Sequence, residues 1–325
     1  MKEEHYKLRE VEGLEIICLM DNCVDLTSSI EKSEVKNVRS WVTERMGSEW
    51  AEKHLRFPVA EHGLSLLVKV FCENKVHAVL FDTGISRRGA VLNAKRMGVN
   101  LNDVEAIVLS HGHYDHWGGL RAFINAIGKT GLPVIVHEDM FKTRGVAYKD
   151  GSIKKHPAFP TESQVMPAKF ITVKKPYFLA GNTVLVTGEI PRKTGFEEGY
   201  LQQRAFVNGV WKPDPWIWDD RALAISVKGK GLVVVSGCAH AGIVNTVLYA
   251  KQISEAARVH AVIGGFHLSG RDCEKRIGKT VEALKKLSPN IIAPMHCTGW
   301  RGAFAIAEAM PEAFVWNSVG NLYTF

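Results

Sequence analysis

Residues 109–119 read LSHGHYDHWGG, three histidines and an aspartate within six positions, followed by tryptophan and two glycines. The apolar run EAIVLS (105–110) leads into this stretch and predicts a strand that ends where the histidines begin. His111 and His113 stand two apart. On extended chain their imidazoles share one face, as two ligands of one metal must. Asp115 and His116 follow where the chain has to turn, so their side chains diverge from the first pair and can serve a second ion. Gly118 and Gly119 allow a tight turn and a close backbone approach into a helix over LRAFINAIG. As a spacing, H-x-H-x-D-H is specific, and a metal centre is its direct reading.

A metal centre needs ligands from elsewhere in the chain. Three histidines follow apolar strands with glycine nearby: His240 in SGCAHAG, His267 in IGGFHLSG and His296 in APMHCTGW. Strand ends are where site residues gather, so these three are the candidates for the opposing half of the centre. His77 and His260 fall inside strands and read as core or edge residues. His5, His54, His137 and His156 lack the strand-end context. His62, in EHGLS, stays open, because it directly precedes a strand within an otherwise helical insertion.

The remaining strands are short, β-branched and bounded by Gly, Asp or Pro: 14–20, 64–71, 76–82, 133–137, 182–188, 222–227, 231–237, 259–265 and 290–296. Amphipathic helices are expected over 241–257 and 275–287, the second placing Ile277, Val281, Leu284 and Leu287 on one face. Strands cluster in each half with helices after them, which fits two packed sheets covered by helices on their outer faces. Two insertions interrupt this rhythm. Residues 27–62 predict one or two amphipathic helices capped by Ser33. Residues 140–220, rich in Pro, aromatics and Lys/Arg, predict long loops folded as a substrate-covering lid.

Composition narrows the class further. At 325 residues, 46% hydrophobic and 23% charged, the chain fits a single α/β domain with insertions, and its core can be buried without staples. A net charge of +7 favours anionic partners. No run of five like charges forms a nucleic-acid arm. The charged start MKEEHYKLRE lacks a signal-peptide h-region, and no apolar run is long enough to span a membrane. Six cysteines with no C-x-x-C pair point to a reducing compartment, hence the cytoplasm.

The layout LFDTG, SHGHYDHWGGL, a strand ending in Gly and then PMHCTG resembles the metallo-β-lactamase superfamily over roughly residues 60–325. The resemblance implies a four-layer αββα sandwich with metals at one rim. It implies Asp82 as the acid that orients the metal loop, His111 and His113 on the first ion, and Asp115, His116 and His296 on the second. Two positions depart from the family pattern. Where the family usually has a histidine on an intervening strand, this chain has TVLVTGEIPR, with Glu189 near that position. Where the family has a bridging aspartate after Gly, this chain has Gly237-Cys238, followed by His240. Either Cys238 is a soft thiolate ligand or it is a buried thiol and His240 is the ligand; His240 is preferred, because a hydroxide-generating site rarely carries a thiolate.

The segments EHGLS, TGEIPR, GCAHAGIVN, GGFHL and PMHCTG are similar to the archaeal dihydropterin synthase branch of that superfamily. That branch implies condensation of a dihydropterin-6-methyl diphosphate with a ribofuranosyl-aminobenzene phosphate and release of diphosphate. The residues themselves leave the chemistry open. In a hydrolase of an ester, lactone or phosphodiester, Asp115 accepts the proton of an attacking water. In a synthase, the ions and nearby cations bind the diphosphate, and aromatic walls hold a pterin-like ring. Arg192, after the strand expected to end at the rim, is the cation singled out, and Trp117, Phe196, Trp211 and Trp300 are the candidate walls. His267 is assigned to substrate or to support of a ligand. A nuclease of the same fold, and a non-catalytic or redox relative that binds metal without turnover, are the competing classes. The cofactor is one or two divalent ions, zinc first, with manganese, iron or magnesium as alternatives.

Overall fold

The computed structural model describes residues 6–325 and contains two large mixed sheets that pack face to face. The first has eight strands, in the order Val35–Lys36, Leu322–Thr324, Gly13–Met20, Ser65–Cys72, Lys75–Phe81, Val104–Val108, Pro133–Val136 and Lys169–Thr172. The second has six: Tyr177–Leu179, Val184–Val186, Ala222–Val227, Gly231–Ser236, Val259–Gly265 and Ile291–Met295. Period-two alternation explains why each sheet has two dry faces. In Ser65–Cys72, Leu66, Val68 and Val70 face the other sheet while Leu67 faces the helices. In Gly231–Ser236, Val233 and Val235 face inward and Leu232 and Val234 outward.

Each sheet then carries its own helical layer. Helices Val38–Met46, Gly89–Arg96 and Leu120–Ile127 bury Trp41, Ala94, Phe123 and Ile127 against the first. Helices Ile243–Ile253, Ile277–Leu287 and Gly299–Ala309 bury Val247, Leu284 and Ile306 against the second. The result is the expected αββα sandwich.

Both sheets share one internal plan. Each begins antiparallel and turns parallel: Lys75–Phe81, Val104–Val108, Pro133–Val136 and Lys169–Thr172 in one, Gly231–Ser236, Val259–Gly265 and Ile291–Met295 in the other. Asp82, His111, Cys238, His267 and His296 all lie just beyond the carboxyl ends of these parallel strands. Parallel α/β sheets leave a crevice for ligands at that edge.

The insertions differ in detail from the expectation. Within 27–62, the helices Val38–Met46 and Ser48–His54 form, but Asn37 rather than Ser33 caps the first, accepting the Ser40 N–H at 2.9 Å. Val35 is drawn into the first sheet beside Tyr323, which delays the helix, and the Ser33 hydroxyl bonds Glu34 instead. Residues 140–220 are mostly loop, as expected, but they also carry seven short strands. Part of the segment completes both large sheets. The rest builds a four-stranded sheet in the order Val210–Pro213, Gln203–Val207, Arg144–Ala147 and Ile153–Lys155. The Pro and Lys content masks an alternation too short to read from sequence.

Gly118 and Gly119 follow the short helix Tyr114–Trp117 with ordinary helical torsions, so their need is for space. A Cβ on Gly118 would overlap the Ile85 carbonyl, and one on Gly119 the Thr83 carbonyl. Gly118→Ala should therefore cost about 1–3 kcal/mol of unfolding free energy through overpacking. Gly278→Ala, where nothing lies within 4 Å of the added methyl, should be neutral or gain up to about 1 kcal/mol. Urea denaturation of both variants checks the contrast, and equal stability would refute the close-approach reading.

Candidate metal centre

Asp82 sits beneath the rim, fully buried, in a left-handed backbone conformation (φ 59°) directly after its strand. Its Oδ1 accepts the Ser110 N–H at 2.7 Å, and its Oδ2 accepts the Ser110 hydroxyl at 2.7 Å. Oδ2 also lies 2.6 Å from His116 Nδ1. A carboxylate there accepts the Nδ1–H bond, so that His116, once neutral, presents Nε2 as its lone pair. Ser110 Oγ is 2.9 Å from His111 Nδ1, so the same relay fixes His111 with Nε2 free.

The free nitrogens converge. His111 Nε2 and His113 Nδ1 are 2.9 Å apart, and His240 Nε2 lies 3.2 Å from the first and 3.1 Å from the second. A neutral imidazole has one N–H, and that of His111 is already committed to Ser110. Three lone-pair nitrogens so close repel one another unless a cation sits among them, and metal–nitrogen bonds of about 2.0–2.1 Å demand this kind of spacing. Among the described residues, His240 Nδ1 and His113 Nε2, both buried, have no hydrogen-bond partner. The residues therefore fit a divalent ion.

A second set lies alongside. Asp115 Oδ2 is 3.1 Å from His296 Nε2, 3.6 Å from His62 Nε2 and 3.8 Å from His116 Nε2. His296 has φ 49°, with its N–H donated to Asp21 Oδ1 at 2.8 Å and its Nδ1 3.1 Å from Asn22 Oδ1, which again leaves Nε2 facing the carboxylate. Cys238 Sγ lies 3.1 Å from His116 Nε2 and belongs with His111 and His116 in one potential donor group, and with His240 and His267 in another. The sheets can approach this closely because Gly237 has no side chain: a Cβ there would strike the Ser110 hydroxyl.

Thus His111, His113, His116, His240, His296, Asp115 and Cys238 come together over Asp82. His267, at φ 45°, has its ring 4.2 Å from that of His240 and is held in turn beside Cys273 and Cys297. Two residues named from the sequence are not brought in. Glu189 pairs with His137 at 3.0 Å, with Lys174 beyond it. Arg192 donates to the carbonyls of Ile190, Trp216 and Ile217 and stacks over Trp218 at 4.6 Å, tying two loops together.

Several residues were not read from the sequence. His62 joins the Asp115 set, and His156 stacks on His113 at 5.4 Å. Asp219 accepts the Gly112 N–H at 2.7 Å, between the two loop histidines, while gripping Arg144 through both oxygens. Asp220, pushed up to about 6 by burial, accepts the Ala241 N–H and fixes the His240 turn. Arg221, fully buried, donates to the carbonyls of Leu109, Ile135, Val136 and Val173. The available signal was the triplet DDR at 219–221, charged residues immediately ahead of the apolar strand ALAISV.

Known proteins agree with this architecture. The family model of the metallo-beta-lactamase superfamily matches residues 62–251. The chain belongs to that superfamily. Its members hold divalent metals, and this chain is an enzyme of the same fold. It is 34% identical over 283 residues, 82% of this chain and 90% of the relative, to the 7,8-dihydropterin-6-methyl-4-(beta-D-ribofuranosyl)-aminobenzene-5'-phosphate synthase of Methanocaldococcus jannaschii. An uncharacterized protein of that organism is 31% identical over 267 residues, 81% of this chain and 93% of its own. A solved metal-dependent hydrolase of the beta-lactamase superfamily superposes with TM-score 0.69 at 23% identity, over 96% of this chain and 98% of its own. That last likeness speaks for the fold.

Protonation in the metal-free chain follows from the geometry. Burial, helped by neighbouring imidazoles, holds His111 and His240 well below the usual histidine range, and burial brings His113 down to about 3. Burial also opposes charge on His116, but Asp82 and Asp115 outweigh it and raise that group to about 9. The three depressed groups stabilise the fold above about pH 6.5 and lose that contribution as acid protonates the unfolded chain. The raised group stabilises below about pH 6.5 and loses its contribution as pH climbs toward 9. Chelator-treated protein should therefore be most stable near pH 6.5, with the steeper fall on the acid side. Thermal melts from pH 4 to 9 measure this, and His113→Ala should flatten the acid limb; an unchanged limb would contradict the assignment.

Proposed function

We propose that this chain is a metal-dependent transferase that joins a dihydropterin-6-methyl diphosphate to a ribofuranosyl-aminobenzene phosphate and releases diphosphate. The observation that carries the reading is the pair of adjoining donor sets with a thiol, Cys238, between them. It occurs in a chain 34% identical to the Methanocaldococcus jannaschii synthase. His111, His113 and His240 would hold one ion, and Asp115, His116 and His296 a second, with Cys238 beside both. Ions held there supply Lewis acidity toward an anionic leaving group. Zinc suits the mixture of imidazole, carboxylate and thiol, iron comes next, and magnesium, which prefers oxygen, suits it least.

The rest of the chemistry belongs to the chain. The bond from the pterin methylene carbon to diphosphate oxygen breaks with its electron pair on the oxygen, and an aromatic carbon or nitrogen bonds to the methylene. That adduct is a cation and a strong acid, so even a weak base takes its proton. Asp115 is such a base: although burial opposes its charge, His116 and His296 hold its carboxyl well below the usual range. The small sheet at 144–213 acts as the cover proposed for the insertion. Its Arg144 is locked to Asp219, and the His156 that follows it stacks on His113. We assign the protein to the cytoplasm on its six free thiols, and its partner is an anionic, pterin-like small molecule.

Elemental analysis of protein purified without chelator should give two ions per chain, both lost in a His113→Ala, Asp115→Ala double variant. One ion or none would remove the two-ion reading. Diphosphate should then appear only when the pterin diphosphate and the aminobenzene phosphate are both present. Diphosphate from the pterin substrate alone, or cleavage of a phosphodiester, would transfer the assignment to a hydrolase.

A further inference from the structure

A cleft opens between residues 195–202 and 272–279, lined by Tyr200, Gln202, Cys273, Lys275, Arg276 and Lys279. It adjoins the metal centre without being part of it. The Tyr200 ring lies 5.5 Å from His267 and 6.1 Å from His240, and Arg276 Nη2 donates to the His267 carbonyl at 2.7 Å.

Its charges are unevenly matched. Lys275 is neutralised by Asp272 at 2.7 Å, and Asp272 also accepts from Gln202. Arg276 is 93% removed from solvent, since only 7% of it is exposed, yet among the described residues it has no carboxylate within 4.0 Å. Glu197 acts on it only at longer range, its oxygens being taken by the Thr194 hydroxyl and the Val244 and Asn245 N–H groups, so the buried guanidinium still has a place for a close anion. Lys279, one turn further on, is exposed and likewise unpaired. A single free carboxylate, Glu198, also lines the cleft and offsets part of this charge.

We propose that this cleft is a phosphate-monoester subsite. It would take the ribose phosphate end of the nucleophilic substrate and set its aromatic ring toward the metal centre past Tyr200. The assignment rests on the transferase reading for the identity of the sugar phosphate, while the anion site itself follows from Arg276 and Lys279. A diphosphate leaving group has to reach the metal donors, so the cleft beyond Tyr200 is left for the other phosphate. Arg offers a planar fork for two phosphate oxygens and Lys a point charge, the usual division of labour at such sites.

Ribose 5-phosphate is the probe, titrated calorimetrically into the metal-loaded protein, with ribose as the control lacking the anion. Arg276→Gln should weaken ribose 5-phosphate binding about tenfold and Lys279→Gln about threefold, in keeping with lost charge-assisted hydrogen bonds. Glu198→Gln should tighten it, and all three effects should shrink in high salt. Lys279 is exposed and, among the described residues, makes no ion pair, so its variant keeps the test valid even where Arg276→Gln disturbs the His267 loop. Unchanged affinity in Lys279→Gln and Glu198→Gln, or equal binding of ribose, would overturn the proposal. If the condensation proceeds but Lys279→Gln leaves KM for the aminobenzene phosphate unaltered, the subsite fails and the transferase reading stands. If ribose 5-phosphate binds with the expected variant pattern and no condensation occurs, the anion subsite stands and the transferase reading fails.

Discussion

Burying a carboxylate is expensive unless it is well hydrogen-bonded, and Asp82 takes three such bonds where the rims of both sheets meet. It accepts from the Ser110 backbone, the Ser110 hydroxyl and His116 Nδ1. Those bonds decide more than the comfort of one side chain. They set the tautomer of His116 and, through Ser110, of His111, so that the outward nitrogens carry lone pairs. They also draw the loop at 109–113 against Gly237 of the second sheet, which in turn brings Cys238 and His240 opposite His111 and His113. The two halves of the sandwich thus share a rigid contact directly beneath the donors.

Strain collects around that contact. Asp82, Ala239, His267 and His296 all adopt left-handed backbone torsions, each just past the end of a parallel strand. Non-glycine residues seldom pay that cost without compensation. Here the return is direction: a strand that ended in extended chain would send its next side chain along the sheet, whereas a left-handed residue turns it sharply at the rim. The compensating bonds are visible, including Asp82 N–H to Val108 O at 2.9 Å and His296 N–H to Asp21 Oδ1 at 2.8 Å. Arg221 reinforces the same edge by collecting carbonyls from the ends of adjoining strands.

This explains which features the sequence discloses. The strands of both sheets are apolar on two faces and announce themselves as short β-branched runs. The metal loop is local, with all its donors inside six residues. His240, His267 and His296 are legible because each directly follows such a strand. His62 has only an ambiguous mark, the strand it precedes, and His156 has none, for what brings them to Asp115 and His113 is the path of two insertions over the rim. Asp219, Asp220 and Arg221 were hidden by their setting, a stretch of Trp and Pro that reads as loop. Arg192 and Glu189 illustrate the converse. Both follow a strand that ends near the rim, but their bonding partners are carbonyls and His137, which no spacing rule foretells.

The thiol at 238 changes the electrostatics of the centre more than its outline. An aspartate there would be ionised with or without metal and would offset the repulsion between two cations permanently. Burial pushes the Cys238 thiol up, so in the metal-free chain it stays neutral, and Asp115 is the one anionic side chain among the proposed donors. A bound cation lowers the thiol pKa and creates the second negative charge only when it arrives. Were Cys238 a ligand, as proposed above, metal loading would be tied to proton release, and the softness of sulfur would favour zinc or iron over oxygen-seeking ions. A centre built this way has less fixed negative charge to repel an approaching diphosphate than one bridged by a carboxylate. On the proposed transferase reading, that lower fixed charge would ease the approach of an anionic leaving group.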